Sequence, residues 1–343
     1  MGAEGVPQPD RIMIEPPYLM FIGDVHDQLA AKTAQGVVDW RPEQCPGQLA
    51  LEGCKADLGI PAMTIEEAKA AGCRTMIVGV VNSGGTMPDH WSGVIVRALE
   101  AGMDVASGLH MRLADDPAIA AAAREHGRQL FDVRHPTRRF KTGTGVKRPG
   151  KRLLAVGTDC SCGKKYTALA VEKEMRARGM KADFRATGQT GILIAGQGVA
   201  IDAVVADFIS GAVEWLAPAA DADHWDCIEG QGSLFHPAFA GVSLGLLHGA
   251  QPDALVLCHE PTRTHMRGLP HQPLPDLAVC MARNVEAAQL TNPDVRFVGL
   301  SINTRALGEA EAGACLAKLE DRFGLPAFDP VRQGAARLVD ALR

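Results

Sequence analysis

The segment Arg152–Thr167, RLLAVGTDCSCGKKYT, carries the strongest chemical signal in the sequence. An apolar run leads into Gly157, five residues follow, and Gly163-Lys164 then opens a helical pattern. Backbone N–H groups at a helix N-terminus attract phosphate oxygens, and the lysine adds a positive charge. Counted from Gly157, the spacing is one residue longer than in the usual phosphate loop, and counted from Thr158 the first glycine is missing. The order of strand, loop and helix nevertheless predicts that the loop binds the phosphates of a nucleotide-containing ligand.

The residue after the lysine departs from the usual pattern. Lys165 stands where a phosphate loop normally has the Ser or Thr that holds Mg²⁺, and Thr167 lies too far along the helix to replace it. This departure favours holding a phosphate-bearing cofactor over splitting ATP, and it predicts that no metal is required. The predicted cofactor-binding residues of the loop are Gly157, Thr158, Asp159, Cys160, Ser161, Cys162, Gly163, Lys164 and Lys165.

Candidate catalytic groups follow two other predicted strands. One apolar run ends in Glu229-Gly230-Gln231-Gly232, and another ends just before His259. The carboxyl edge of a parallel sheet, beside a phosphate loop, is where such folds place reacting groups. A solvated turn is the competing interpretation for Glu229, and a lone histidine is more often simply hydrogen-bonded. The sequence predicts Glu229, His236 and His259 as catalytic candidates, without a choice among them.

Cations that could bind an anionic substrate occur in both halves of the chain. Arg263 and Arg267 lie in the proline-rich stretch Pro261–Pro275, which is predicted to be an ordered loop over a site. In the N-terminal half, a glycine-containing turn between a strand and a helix is a second candidate anion site. Solvated side chains and an ordinary turn are the competing interpretations. The predicted substrate-binding residues are Lys32, Ser83, Gly84, Gly85, Arg263 and Arg267.

These residues are positioned by short apolar runs that alternate with helical patterns, which predicts two α/β domains with parallel sheets. A basic, glycine-containing stretch separates residues 1–135 from residues 151–343, and residues 136–150 are predicted to be a linker. The predicted strands are Tyr18–Ile22, Thr75–Val81, Val105–Ser107, Gln129–Val133, Leu153–Val156, Ala182–Ala186, Trp225–Ile228, Ala254–Cys258 and Arg296–Ser301. The predicted helices are Ile65–Ala71, His90–Ala101, Pro117–His126, Lys164–Arg178, Asp202–Trp215 and Thr304–Arg322.

Composition narrows the class of protein. The 343 residues carry a net charge of −5, whereas a general nucleic-acid binder is usually basic. No apolar run reaches eighteen residues, and the N-terminus lacks the apolar core of a secretory signal. Nine cysteines without a regular spacing are typical of reduced thiols. We therefore expect a cytoplasmic protein with a small-molecule substrate and no nucleic-acid or membrane partner, and a homo-oligomer, with a dimer favoured.

Three motifs together resemble the dethiobiotin-synthetase branch of P-loop proteins. They are the GTDxxxGK pattern that begins at Gly157, the EGxG pattern that begins at Glu229, and VGLSIN at Val298–Asn303. In that branch the Asn after the late strand reads the adenine edge. The resemblance therefore implies that Asn303 also binds the cofactor.

Longer segments are similar to one specific family, and together they cover nearly the whole chain. They are FIGDVHDQLAAKTAQGVVDWRPE, GTDCSCGKKYTALA, RATGQTGILIAGQGVAIDAVVADFISGAVE and WDCIEGQGSLFHPAFAGVSLGLLHGAQPDALVLCHEPTRTHMRG. The family includes D-glutamate N-acetyltransferase. The resemblance implies a Rossmann-like N-terminal domain, a P-loop NTPase-like (dethiobiotin-synthetase-like) C-terminal domain, and acetyl transfer from acetyl-CoA to the amino group of a D-amino acid, chiefly D-glutamate.

Acetyl-CoA suits the phosphate loop, because coenzyme A carries an adenine, a diphosphate and a 3′-phosphate and needs no hydrolysis. Two alternatives stay open at this point. One is an ATP- and Mg²⁺-dependent ligase or kinase of the dethiobiotin-synthetase type, with the metal held by Asp159 or Glu229. The other is a nucleotide-sensing protein without catalytic activity.

Overall fold

Parallel β-sheets organise both halves of the chain in the computed structural model, which describes residues 13–81 and 87–342. One unit comprises the chain up to Arg138 together with Gly188–Ala203, and the other comprises Arg139–Thr187 and the chain from Val204 onward. The segment Gly188–Ala203 thus packs with the first unit, although it follows a strand of the second. The division made from the sequence, at residues 136–150 alone, contains no such exchange.

The first unit is built on a sheet whose described strands are all parallel, in the order β2-β1-β3-β4-β5. The strands are β1 (Tyr18–Gly23), β2 (Gly47–Ala50), β3 (Thr75–Val78), β4 (Asp104–Ser107) and β5 (Leu130–Asp132). The helices are α1 (Lys32–Trp40), α2 (Ile65–Ala70), α3 (Asp89–Glu100) and α4 (Pro117–Glu125). All six residues of β1 are buried, as expected for a central strand that helices cover on both faces.

The second unit contains a six-stranded parallel sheet among its described residues, in the order β13-β12-β9-β6-β8-β7, and a separate antiparallel hairpin of β10 and β11. The strands are β6 (Lys151–Gly157), β7 (Ala182–Arg185), β8 (Trp225–Ile228), β9 (Ala254–His259), β10 (His265–Met266), β11 (Leu269–Pro273), β12 (Arg296–Ile302) and β13 (Ala327–Phe328). The remaining helices are α5 (Lys164–Ala177), α6 (Gln189–Ala195, in the first unit), α7 (Ile209–Leu216), α8 (Ala240–Ala250), α9 (Leu277–Ala288), α10 (Glu309–Phe323) and α11 (Ala336–Asp340).

The order of this sheet explains how the candidate residues come together. Strand β6, which leads into the phosphate loop, lies between β8 and β9 and is parallel to both. The carboxyl ends of parallel strands meet at one edge of the sheet. Glu229, directly after β8, and His259, the last residue of β9, therefore flank the loop on its two sides.

The predicted strands are all confirmed within a few residues, the largest difference being β3, which ends at Val78 rather than Val81. The predicted helix Asp202–Trp215 is wrong in its first half, where short 3₁₀ turns at Ile201–Ala203 and Ala206–Phe208 precede α7. The backbone of Val205 is extended there (φ −56°, ψ 135°), which breaks the helical hydrogen-bond pattern. The predicted helix Thr304–Arg322 begins later, at Glu309.

The stretch Pro261–Pro275, predicted to be a loop, contains the β10–β11 hairpin. Helices α1, α6, α8, α9 and α11 and strands β2 and β13 were not predicted. The α8 segment is almost uniformly apolar, and α6, α11, β2 and β13 are short, so these segments give little periodic signal. No helix in the described ranges is both long enough and apolar enough to cross a membrane.

Candidate active site

The phosphate loop is a tight turn between β6 and α5. Ser161 and Gly163 both have positive φ angles, 54° and 115°, so the chain turns through the left-handed region twice within three residues. A Cβ atom at Gly157 would lie 2.6 Å from Sγ of Cys162, which shows how closely the loop folds back on its first glycine. The predicted order of strand, loop and helix is confirmed.

The Lys164 side chain closes the loop from inside. Its buried ammonium donates a hydrogen bond to the carbonyl oxygen of Asp159 at 2.7 Å and lies 3.6 Å from Sγ of Cys162. A Cβ atom at Gly230 would lie 1.7 Å from the carbonyl oxygen of Ala155 and 2.9 Å from Cδ of Lys164. Only a glycine fits there, so the turn after β8 packs directly against the lysine of the loop.

Asp159 is the most heavily bonded side chain of the loop. Its carboxylate is 0% exposed and accepts three hydrogen bonds, from Nη1 of Arg263 (2.6 Å), the backbone N–H of Arg267 (2.8 Å) and the backbone N–H of Cys160 (2.6 Å). Burial alone would raise the pKa of Asp159, but these donors and the charge of Arg263 outweigh it and hold the pKa below its usual range. Asp159 is therefore an ionised anchor between the loop and the segment after β9.

Arg263 has partners that the sequence did not indicate. Besides Asp159, its guanidinium binds the carboxylate of Glu260 and the carbonyl oxygen of Cys160 (2.7 Å). Its charge is thus balanced by two carboxylates of the same chain. Arg263 therefore connects the phosphate loop to the segment after β9, and its predicted role in binding a substrate carboxylate stays a prediction.

Arg267, in contrast, extends from the turn of the β10–β11 hairpin and is exposed. Its Nη1 donates to Oγ of Ser161 at 2.5 Å, on the outside of the phosphate loop. Arg267 is the predicted arginine whose position suits binding of an incoming anion.

Glu229 is held at the carboxyl end of β8. Its side chain is 5% exposed, and Oε2 accepts a hydrogen bond from the backbone N–H of Thr187 at 3.0 Å. The Thr187 hydroxyl donates to the Glu229 carbonyl oxygen at 2.6 Å, and Gln231 donates to that hydroxyl at 3.1 Å. Thr187 was not predicted as a site residue. Its place two residues after β7 puts it at the carboxyl edge of the sheet, and that position is the signal that could have indicated it.

His259 lies on the other side of the loop. Its Nδ1 is 3.0 Å from Oγ1 of Thr158, a buried residue of the loop. Burial, together with the positive charge of Arg263, lowers the pKa of His259 to about 4. The imidazole is therefore neutral at neutral pH, and it supports the loop through Thr158.

His236 also reaches the phosphate loop. One of its ring nitrogens, a carboxylate oxygen of Asp159 and Sγ of Cys160 all lie within 4.8 Å of one another. The imidazole packs on the Phe239 ring with a centroid separation of 4.5 Å. All three predicted catalytic residues therefore lie near the loop: His236 reaches the loop itself, and Glu229 and His259 lie at the ends of the strands that flank it.

The Asp159 oxygen, Sγ of Cys160 and the ring nitrogen of His236 form the group of possible metal ligands that the described residues place at the loop. Both oxygens of Asp159 already accept N–H groups, and its charge is balanced by Arg263, so a cation there would have to displace an arginine. Thr167, the first Ser or Thr of α5, is buried; its hydroxyl donates to the Gly163 carbonyl oxygen (3.0 Å) and lies 2.7 Å from Oγ of Ser301. It faces the sheet and does not replace the hydroxyl that Lys165 lacks. The absence of a metal requirement stays a prediction.

The remaining predicted residues are scattered. Asn303 follows β12, and its side-chain oxygen accepts from the backbone N–H of Arg305 at 3.2 Å. The Lys165 ammonium lies 4.8 Å from the centre of the Tyr166 ring. Lys32 is an exposed residue at the start of α1, in the first unit. Ser83, Gly84 and Gly85 lie outside the described residues.

Comparisons with known proteins cover both units. A family model described as a domain of unknown function, the DUF1611_C P-loop domain, matches residues 139–339. A second, described as the DUF1611_N Rossmann-like domain, matches residues 43–136. The crystal structure of a DUF1611 family protein from Anabaena variabilis has a TM-score of 0.83 and 31% sequence identity, covering 95% of this chain and 98% of that chain.

Two curated relatives match over almost their full length. A D-glutamate N-acetyltransferase from Tritonibacter scottomollicae is 59% identical over 330 residues, which is 96% of this chain and 99% of the relative. A D-glutamate N-acetyltransferase from Pseudoalteromonas sp is 52% identical over 328 residues, with the same coverage. The predicted fold class, a Rossmann-like domain followed by a P-loop domain, is confirmed. The chain belongs to the DUF1611 family, and it is similar over almost its whole length to these two acetyltransferases.

Proposed function

We propose that this protein is an N-acetyltransferase that moves the acetyl group of acetyl-CoA to the amino group of a D-amino acid, D-glutamate first among them. The observation that carries the proposal is a phosphate loop closed by Lys164 and the Asp159–Arg263 pair, without the hydroxyl that normally holds Mg²⁺. Such a loop suits a phosphate-bearing carrier that is not hydrolysed. The names of the two relatives, at 59% and 52% identity, support the same substrate and reaction.

The loop would hold the diphosphate of acetyl-CoA through its backbone N–H groups and Lys164. Transfer then requires that the substrate amine lose a proton, because a protonated amine has no lone pair for attack. The amine nitrogen bonds to the thioester carbon, the C–S bond breaks, and the CoA sulfur leaves as a thiolate that takes up a proton.

We assign the role of proton acceptor to Glu229. Its carboxylate lies at the carboxyl edge of the sheet, directly before Gly230, whose backbone packs against the Lys164 side chain, and the Thr187 N–H fixes the direction of Oε2. His259 is the weaker candidate, because its Nδ1 lies 3.0 Å from Oγ1 of Thr158 and the imidazole thereby supports the loop.

The ligase or kinase alternative loses support at its metal site. It needs Mg²⁺ on Asp159 or Glu229. The Asp159 carboxylate already accepts three N–H hydrogen bonds, one of them from Arg263, so Mg²⁺ there would have to displace that arginine, and the alternative then depends on Glu229. We also propose a cytoplasmic location, because all nine cysteines are free thiols, as in proteins of a reducing compartment. The homodimer stays a prediction.

The function is tested by measuring free thiol released from acetyl-CoA in the presence of a panel of D- and L-amino acids. We expect release with D-glutamate, weaker release with other D-amino acids, and none above background with L-glutamate. The assay runs with and without EDTA, and we expect equal rates. If no amino acid releases thiol above background, the acetyltransferase proposal is wrong for this chain.

Glu229→Gln tests the proton acceptor. The glutamine oxygen can still accept from the Thr187 N–H, so the fold is retained while the basic oxygen is lost. We expect kcat to fall by about a hundredfold or more, with a modest change in KM.

His259→Asn is the matched control, because it keeps a nitrogen near the position of Nδ1. Since His259 does not titrate between pH 6 and 9, this variant should keep the shape of the wild-type pH–rate profile over that range. A near-normal kcat in Glu229→Gln, with a lost acidic limb in His259→Asn, would transfer the role to His259.

We expect substitution of Arg263 and of Arg267 to raise the KM of different substrates. We propose that Arg267 binds a carboxylate of the amino acid, because it is exposed beside the loop. Arg267→Ala should raise KM for D-glutamate by roughly tenfold, the lower range for loss of a charge-assisted hydrogen bond, and spare KM for acetyl-CoA. Arg263→Ala should instead raise KM for acetyl-CoA, because it releases Asp159. If both variants raised KM for D-glutamate equally and left KM for acetyl-CoA unchanged, the result would support the sequence-based prediction that Arg263 and Arg267 together bind a substrate carboxylate.

A further inference from the structure

His236 carries a buried polar atom that nothing in the described part of the chain satisfies. The residue is 3% exposed, and its Nε2 has no hydrogen-bond partner. Leaving a buried donor or acceptor unpaired is costly, because the group has lost its hydrogen bonds to water. A nitrogen kept in this condition next to a phosphate loop indicates a partner that arrives with the ligand.

The other ring nitrogen determines what Nε2 can do. Nδ1 accepts a hydrogen bond from the backbone N–H of Ala238 at 3.2 Å, so its lone pair is occupied and it carries no proton. A neutral imidazole has one N–H, which must then be on Nε2. Contact with the Phe239 ring and a backbone bond from His236 to the Ser233 carbonyl oxygen fix the ring further. Nε2 is therefore a preorganised hydrogen-bond donor.

This protonation pattern argues against two other roles. A general base at Nε2 would need a free lone pair there, and a metal ligand would need the same. Nδ1 carries no proton, because it accepts from the backbone N–H of Ala238. If Nε2 also carried none, the ring would be an imidazolate anion, which is not the neutral form of histidine. His236 was predicted as a candidate base, and the contact of Nδ1 with Ala238 is the reason to assign it a different function.

The surroundings of the ring indicate the kind of atom that Nε2 would meet. The nearby carboxylate of Asp159 is already taken up by Arg263 and by two backbone N–H groups. The side chain of Cys160 is a thiol whose pKa is raised, chiefly by burial, so it offers little negative charge. An acceptor for Nε2–H must therefore come from a bound molecule.

We infer that His236 donates a hydrogen bond from Nε2 to a negatively charged oxygen of acetyl-CoA bound at the phosphate loop. This inference rests on the proposed function for the identity of the ligand. Two oxygens share the required chemistry: one on the diphosphate, and the thioester carbonyl oxygen as it becomes an oxyanion during attack by the amine. A donor on the diphosphate strengthens binding, whereas a donor on the oxyanion strengthens only the transition state.

Three variants separate the donor from the rest of the ring. His236→Gln places an amide N–H near the position of Nε2, and His236→Asn places one near Nδ1. His236→Phe keeps an aromatic ring against Phe239 but removes both nitrogens. Each variant is compared with the wild type for its Kd for CoA by calorimetry, its kcat for thiol release with D-glutamate, and its Tm.

If the donor binds the diphosphate, Kd for CoA should rise about tenfold in the Phe and Asn variants and by less than about threefold in the Gln variant. If the donor binds the oxyanion, Kd for CoA should stay constant in all three variants. In that case kcat should fall strongly in the Phe and Asn variants and only slightly in the Gln variant. Should the Phe variant fail to fold, the Gln and Asn variants carry the comparison. Equal impairment of Gln and Phe in both quantities, or wild-type values for Phe, would overturn the inference.

A separate experiment tests whether His236 binds a metal ion. If EDTA abolishes CoA binding by the wild type and Zn²⁺ restores it, His236 is a metal ligand and the inference is wrong. The binding measurement also separates this inference from the proposed function. A wild type without turnover on any amino acid rejects acetyl transfer, and the Kd series still decides whether the donor contacts the diphosphate. An unchanged Kd series together with absent turnover rejects both.

Discussion

The burial of one carboxylate, that of Asp159, sets the shape of the candidate active site. A carboxylate removed from water is costly unless its charge is balanced and its oxygens are hydrogen-bonded. Arg263 supplies the charge, and backbone N–H groups of the loop and of the hairpin segment complete the set. The phosphate loop and the chain after β9 are consequently joined by the Asp159–Arg263 ion pair and the hydrogen bonds around it.

That constraint explains several other features of the site. Burial of His259, together with the positive charge of Arg263, lowers the pKa of His259 and keeps that imidazole neutral at neutral pH. Because Asp159 is committed to Arg263, it is a poor ligand for Mg²⁺. The loop thus retains the lysine and N–H groups that bind phosphate, without a ready metal position. This is the electrostatic setting that we associate with an acetyl-CoA carrier rather than with nucleotide hydrolysis.

The sequence was informative where local patterns decide the structure. Apolar runs predicted the strands of both main sheets except the edge strands β2 and β13, and Gly157, Gly163 and Lys164 predicted the loop. Glu229 and His259 could be placed beside it, because the end of a parallel strand has a known location. Helix starts were less predictable, since α7 begins only after two 3₁₀ turns that its apolar pattern does not reveal.

Long-range partners could not be predicted from the sequence. Asp159 and Arg263 are 104 residues apart, and nothing local indicates that one neutralises the other. The Arg263 pattern was therefore interpreted as a substrate clamp. The role of His236 depends on which ring nitrogen accepts from the backbone N–H of Ala238, and that is decided by the ring orientation in the folded structure. Thr187 was overlooked because a threonine after a strand has no motif of its own.

The central claim is that the Asp159–Arg263 pair, and not a metal ion, holds the phosphate loop in its CoA-binding form. A double-mutant cycle on the Kd for CoA tests it most directly, with Asp159→Asn, Arg263→Met and the double variant measured in EDTA and in Mg²⁺. We predict that each single variant weakens binding and that the double variant is little worse, a coupling of about 1 kcal/mol or more that Mg²⁺ leaves unchanged. Additive losses, or binding by the wild type that requires Mg²⁺, would contradict the account.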